Sequence, residues 1–261
     1  MNEMILKLAV ASREKIELLN KSTIRYFILS MLAGIYVGFG IILIFSIGAP
    51  LKAAGVPWLK ALMGASFAIA LTLVIFAGSE LFTGNNMIMA VGSLIKKVTW
   101  LDTLKVWTVS YFGNLAGSLL LALAMSGTGL ITKGPLRDFI VLTAADKMNT
   151  PFDQLFVRGI LCNMLVCLAI WTATKAREDT AKLILIFWCL FGFIGAGFEH
   201  SIANMTLLGM GLFAPHDGQL VSWWGFLNNL VPVTLGNMLG GGLIIGAGYW
   251  FITGSIKAAD E

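Results

Sequence analysis

Two short stretches decide how this chain is read. One is Ala77-Gly78-Ser79-Glu80-Leu81-Phe82-Thr83-Gly84-Asn85-Asn86, and the other is Ala196-Gly197-Phe198-Glu199-His200-Ser201-Ile202-Ala203-Asn204. Each interrupts an apolar run. The first run begins near Leu59 and resumes to Ile95, and the second begins near Leu183 and resumes to Phe213. A helix broken in lipid leaves backbone N–H and C=O groups unpaired, which is tolerated only where the break is buried in protein or lines a water-filled path. Ionisable residues at that depth are costly and are therefore paired or functional. Two such breaks in one chain predict a pore or binding site at mid-membrane.

The rest of the sequence supports a membrane setting. Of the 261 residues 57% are hydrophobic and 12% are charged, against about 25% charged in soluble domains. Mean hydropathy is +0.84, and several runs reach the roughly 20 apolar residues that a bilayer crossing needs. Further spans are expected at about 27–47, 104–131, 155–174 and 226–251, making six with the two broken ones. Residues 1–26 set Leu6, Leu8, Ile16 and Leu19 against Lys7, Arg13, Lys15, Lys21 and Arg25, as an amphipathic helix on a membrane surface would. No cleavable signal peptide is expected, because no short apolar core precedes a small-residue cleavage site. The expected organisation is an N-terminal amphipathic segment 1–26, a channel domain 27–252 and a tail 253–261.

Six spans put both termini on one side. With the N-terminus inside, twelve of the eighteen Lys and Arg fall on inner segments, the bias that fixes orientation in a bacterial inner membrane. Trp58, Trp100, Trp107, Trp223, Trp224 and Trp250 lie near span ends, as interface anchors do. Cys162, Cys167 and Cys189 all lie inside apolar runs, which argues for small packing residues and against a disulfide or metal site. No metal, cofactor or nucleic-acid partner is expected.

The two halves repeat. Ala77-Gly78-Ser79-Glu80 aligns with Ala196-Gly197-Phe198-Glu199 at an offset of 119, and Gly113-Asn114-Leu115-Ala116-Gly117 aligns with Gly236-Asn237-Met238-Leu239-Gly240 at an offset of 123. Three spans per half invert the second copy, and inverted repeats with broken helices at matching places point to a mid-membrane site. The expected fold is an all-α polytopic membrane protein of six spans, built as two inverted three-span repeats with broken re-entrant helices. The Gly-x-x-x-Gly spacings suit close helix packing.

The polar residues at the breaks divide by role. Glu80 and Glu199, with Asn204 nearby, are expected to support the breaks by capping freed backbone donors or by bonding to neighbouring polar groups. Two exposed carboxylates would repel an anion. Thr83 offers a hydroxyl, the half-helix N-termini offer N–H groups, and His200 can donate a hydrogen bond or a proton near neutrality. That set suits a small anion. Neither break contains Pro, which argues against a water pore built on Asn-Pro-Ala. No Ser/His/Asp order, carboxylate pair or metal cluster suggests an enzyme.

The stretches Ser79-Glu80-Leu81-Phe82-Thr83-Gly84, Asn163-Met164-Leu165-Val166-Cys167-Leu168-Ala169-Ile170-Trp171 and Gly197-Phe198-Glu199-His200-Ser201-Ile202-Ala203-Asn204-Met205 resemble the signatures of the formate/nitrite transporter family, over about residues 24–251. The resemblance implies a homopentamer in the lipid bilayer, with an aquaporin-like protomer and a pore in each. It implies an anion chamber at Thr83 and His200 with Asn163 near, and apolar constrictions at Phe67, Leu71, Leu81, Val166 and Phe193. It also implies an anion-attracting Lys147 in an outer loop, and a gating role for the N-terminal helix. The permeant would be a small monovalent anion. Nitrite ranks ahead of hydrosulfide and formate, because residues 36–45 and 78–84 look most like nitrite channels. Proton-coupled transport through the same residues stays open.

Overall fold

The structure, a computed structural model, describes residues 2–216, 218 and 220–253; the tail expected at 253–261 lies outside the described residues from 254 on. The described residues fold into helices without a strand: α1 Asn2–Lys21, α2 Thr23–Ala53, α3 Leu59–Ser66, α4 Ile69–Phe76, α5 Phe82–Leu94, α6 Trp100–Gly127, α7 Gly134–Met148, α8 Phe152–Lys175, α9 Asp179–Ala196, α10 Ser201–Phe213, α11 Trp223–Met238 and α12 Gly248–Ile252. Local chemistry sets several of these ends. Ser22 accepts from the Arg25 N–H and starts α2 earlier than the apolar pattern suggests. Thr99 and Asp102 form a reciprocal capping box at α6. Pro135 occupies the first turn of α7, where no intrahelical N–H is needed.

Both breaks are made the same way. Gly78 and Gly197 take left-handed backbone conformations, with φ of 75° and 77°. The next residue closes the preceding helix: the Ser79 N–H donates to the Val74 carbonyl, and the Phe198 N–H donates to the Phe193 carbonyl. This is the hydrogen-bond pattern of a glycine-terminated helix. After each break the chain runs on in the same direction. Along α2, Gly48 faces Leu59 and Met63, and Gly40 faces Phe67 and Ala70. Further on, Leu29 receives the Glu80 N–H and Tyr26 meets Asn85. The pieces of each interrupted segment therefore make a single crossing. Six helices or helix pairs are long and apolar enough to cross a membrane.

Small residues set the helix spacing. A Cβ on Gly117 would collide with the Met31 carbonyl of α2, and one on Gly236 with the Phe156 carbonyl of α8. Glycine-to-carbonyl contacts of the same kind thus join α2 to α6 and α8 to α11, in keeping with the inverted repeat. Between α11 and α12 the helix widens into π turns over Leu239–Ala247, which the sequence pattern does not announce. This lets Gly241 approach the Asn163 amide too closely for any Cβ. Leu120, Leu123, Trp188, Val231 and Leu243 are exposed, a covering suited to lipid or to neighbouring copies rather than water.

Gly117→Ala and Gly236→Ala are each expected to destabilise the detergent-solubilised protein by about 1–3 kcal/mol through overpacking. Gly195→Ala, where a Cβ meets nothing, should leave the melting temperature unchanged. Equal behaviour of all three in a thermal melt would contradict the packing account.

Candidate functional site

The second half-helices, α5 and α10, begin in the interior with free N–H groups. One asparagine in each repeat satisfies the first of them and ties down the break beside it. Asn114 Oδ1 accepts the Phe82 N–H at 2.9 Å, and its Nδ2 donates to the carbonyls of Ser30 at 2.6 Å and Glu80 at 2.9 Å. Asn237 does the same for Ser201 at 2.9 Å, Gly159 at 2.8 Å and Glu199 at 3.0 Å. Both asparagines are fully buried. They lie inside the Gly-Asn-x-x-Gly repeat, where the recurring Asn was the signal that packing alone left unused.

Glu80 and Glu199 therefore cap no backbone donor; their side chains bond to neighbouring polar groups. Glu80 meets Lys15 Nζ at 2.8 and 2.9 Å, the Tyr26 hydroxyl at 2.7 Å and Asn85 Nδ2 at 3.1 Å. Glu199 meets Lys147 Nζ at 2.6 and 2.7 Å and Asn204 Nδ2 at 2.6 Å, and Asn204 also donates to Asn229. Lys15 comes from α1 and Lys147 from α7, so α7 stands to the second repeat as α1 does to the first. This corrects the outer-loop placement of Lys147: it sits in the last turn of a helix. Its ammonium is matched by the carboxylate of Glu199, which is nearly buried.

Thr83 and His200 come together from opposite repeats. Thr83 Oγ1 lies 3.0 Å from His200 Nε2, and both residues are buried. His200 is also the N-cap of α10: the Ala203 N–H donates to its Nδ1 at 3.2 Å. With Nδ1 accepting, the neutral ring carries its hydrogen on Nε2 and donates to Thr83 Oγ1. The Thr83 hydroxyl hydrogen is then left for another acceptor. Asn163, expected beside the chamber, lies behind it: Nδ2 is 3.1 Å from the Thr83 carbonyl, 3.1 Å from Asn86 Oδ1 and 2.7 Å from the Asn237 carbonyl. It anchors the backbone of Thr83 and does not wall the space beside His200.

That space, about 10 Å³, is walled by Phe67, Leu71, Leu81, Val166 and Phe193, joined by Val37, Ala70 and Leu190. The Phe67 and Phe193 rings meet edge-on with centroids 5.6 Å apart, and Phe193 stacks on His200 at 5.9 Å. His200 and Phe193 also face a larger cavity of about 520 Å³ on the α7 side, lined by Lys52, Lys60, Lys147, Arg158 and Glu199 among others. Lys15, Tyr26 and Arg158 carried no sequence signal, since each is an ordinary residue of a helix until the fold brings it to a break.

The sequence matches the family described as formate/nitrite transporter over residues 2–251. Among curated proteins, it is 44% identical over 230 residues to the nitrite transporter NirC of Salmonella typhimurium, covering 87% of this chain and 83% of that one. A solved FNT family ion channel superposes with a TM-score of 0.92 at 40% identity, over 97% of this chain and 99% of its own. A pentameric formate channel with formate bound superposes at 0.79 with 34% identity, over 89% and 98% of the two chains.

Asn114→Asp and Asn237→Asp keep the acceptor but remove both donors at a break. Each is expected to cost about 1–3 kcal/mol of stability, with similar losses at the two sites. A thermal melt showing neither variant destabilised would overturn the assigned role.

Proposed function

This chain belongs to the formate/nitrite transporter family, and we propose that it conducts nitrite through a pore whose polar contacts are Thr83 and His200. The observation that carries this is the 3.0 Å contact between the two residues, made across the two breaks where His200 lines an otherwise apolar space. An anion leaving water for such a space loses its hydration, at a cost that only hydrogen bonds or opposite charge can offset. The Thr83 hydroxyl, polarised by His200, is a donor next to that space. The first-turn N–H groups of α5 and α10 add the positive ends of two helix dipoles. The apolar walls discriminate against large or strongly hydrated ions.

Nitrite is ranked ahead of formate on the 44% identity to a protein named as a nitrite transporter, against 34% to one named as a formate channel; hydrosulfide is the alternative. A homopentamer in a bacterial inner membrane, both termini cytoplasmic, is part of the same proposal. It is supported by the pentameric neighbour and by the distribution of Lys and Arg. In that orientation the 520 Å³ cavity on the α7 side opens outward. The Lys147–Glu199 pair holds the second break, and attraction of anions falls to the cavity as a whole.

A hydrogen bond to a charged group is worth about 1.5–3 kcal/mol. Thr83→Ala and His200→Ala should therefore each lower nitrite flux into proteoliposomes roughly tenfold or more. Stopped-flow traces at wild-type speed for both variants would sink the chamber assignment. Hydrosulfide or formate outpacing nitrite through the wild type would replace the substrate and leave the pore standing.

A further inference from the structure

Six charged side chains face the cavity on the α7 side: Lys52, Lys60, Lys147 and Arg158 against Asp146 and Glu199. Lys147 and Glu199 are matched to each other. Among the described residues Lys52, Lys60 and Arg158 make no ion pair. Lys60 brings charge to the second break, since a Cβ on Gly197 would lie 3.8 Å from its Nζ.

Arg158 brings more than charge. It is half-buried on α8, and its carbonyl accepts the Glu199 N–H at 3.3 Å, which ties its backbone to the break directly ahead of His200. One turn earlier, Gln154 accepts from Nη2 at 3.1 Å and orients the guanidinium. The first repeat has no counterpart, because the carbonyl that accepts the Glu80 N–H belongs to Leu29. A guanidinium carries five N–H donors in a planar fork, and Gln154 takes one of them. Two parallel N–H groups match an anion with two oxygens on one atom, whereas an ammonium is a point charge that prefers no such shape.

We propose that Arg158 is a selectivity residue, docking planar two-oxygen anions at the mouth of the chamber and favouring nitrite and formate over hydrosulfide. The inference rests on the anion-pore reading above. The lysines raise the concentration of any small anion in the cavity, an effect that salt screens. The fork adds the shape term that those charges lack. A single-atom acceptor such as hydrosulfide gains the charge but only one of the two parallel bonds.

The test is flux of nitrite, formate and hydrosulfide at low concentration into proteoliposomes carrying the full chain, for wild type, Arg158→Lys and Arg158→Gln, with protein-free vesicles subtracted. In Arg158→Lys, nitrite and formate flux should fall about fivefold relative to hydrosulfide, whose own flux stays within about twofold of wild type. That retained flux also shows the variant to be folded and inserted. In Arg158→Gln the same ratio should fall and all three anions should slow. A nitrite-to-hydrosulfide ratio unchanged in Arg158→Lys overturns the inference alone, and so does an equal loss of all three anions in that variant. A wild type that passes none of them overturns the pore reading and this inference with it.

Discussion

A helix that stops inside a bilayer must find partners for its freed peptide groups, and in this protein one asparagine amide per repeat bonds three peptide groups at the break. Asn114 and Asn237 each join three chain segments: the start of the second half-helix, the end of the break and the first long helix of the same repeat. In an interior without water, each unmade bond would carry the full desolvation penalty of a peptide group. With the amides in place, the N-terminal ends of α5 and α10 can sit deep in the protein and bring Thr83 to His200. The Glu80 and Glu199 carboxylates then tie the same breaks to α1 and α7 through Lys15 and Lys147.

The proposed pore contact arises where the two repeats stop matching. Glu80 and Glu199 share an offset of 119, and so do Asn85 and Asn204, which bond to those carboxylates in the same way. Between them the register holds but the chemistry departs: Leu81 stands opposite His200, and Thr83 opposite Ile202. Each repeat thus contributes one polar and one apolar residue. The cap on His200 Nδ1 sets the direction of its bond to Thr83. Leu81, at the equivalent cap position, makes no side-chain cap bond and walls the space instead.

The spans and the breaks were legible because they rest on one-dimensional signals: long apolar runs, and polar residues where such runs should continue. The repeat was legible because its motifs recur at nearly equal offsets. The partners of Glu80 and Glu199 were not legible. Lys15 and Lys147 lie far from them in sequence, and a lysine in an amphipathic helix looks like any solvated one. Asn163 was placed beside the chamber by resemblance to a family signature, yet its amide faces the Thr83 carbonyl from behind. A motif reports that a residue is needed and leaves open which of its neighbours needs it. The π segment at Leu239–Ala247 escaped for a related reason. The apolar run over 226–251 reads as one regular span, whereas the widened turn brings Gly241 against Asn163 and Cys167.

The size of the space beside His200 constrains how an anion would pass along the proposed pore. A space of about 10 Å³ is near the lower limit for a single water, roughly 10–15 Å³, and a three-atom anion is larger than that. Passage through such a space requires its walls to part. The polar framework is poorly suited to yield, since moving Thr83 or His200 would break directed bonds to Asn163, Ala203 and each other. The apolar walls are held only by dispersion contacts, each worth a few tenths of a kcal/mol at most. Phe67 stands at the turn between α3 and α4, off either helix interior, and its edge-on contact with Phe193 can open without orphaning a hydrogen bond. In the proposed pore, a rigid donor pair beside compliant apolar walls favours the ion that sheds water most cheaply.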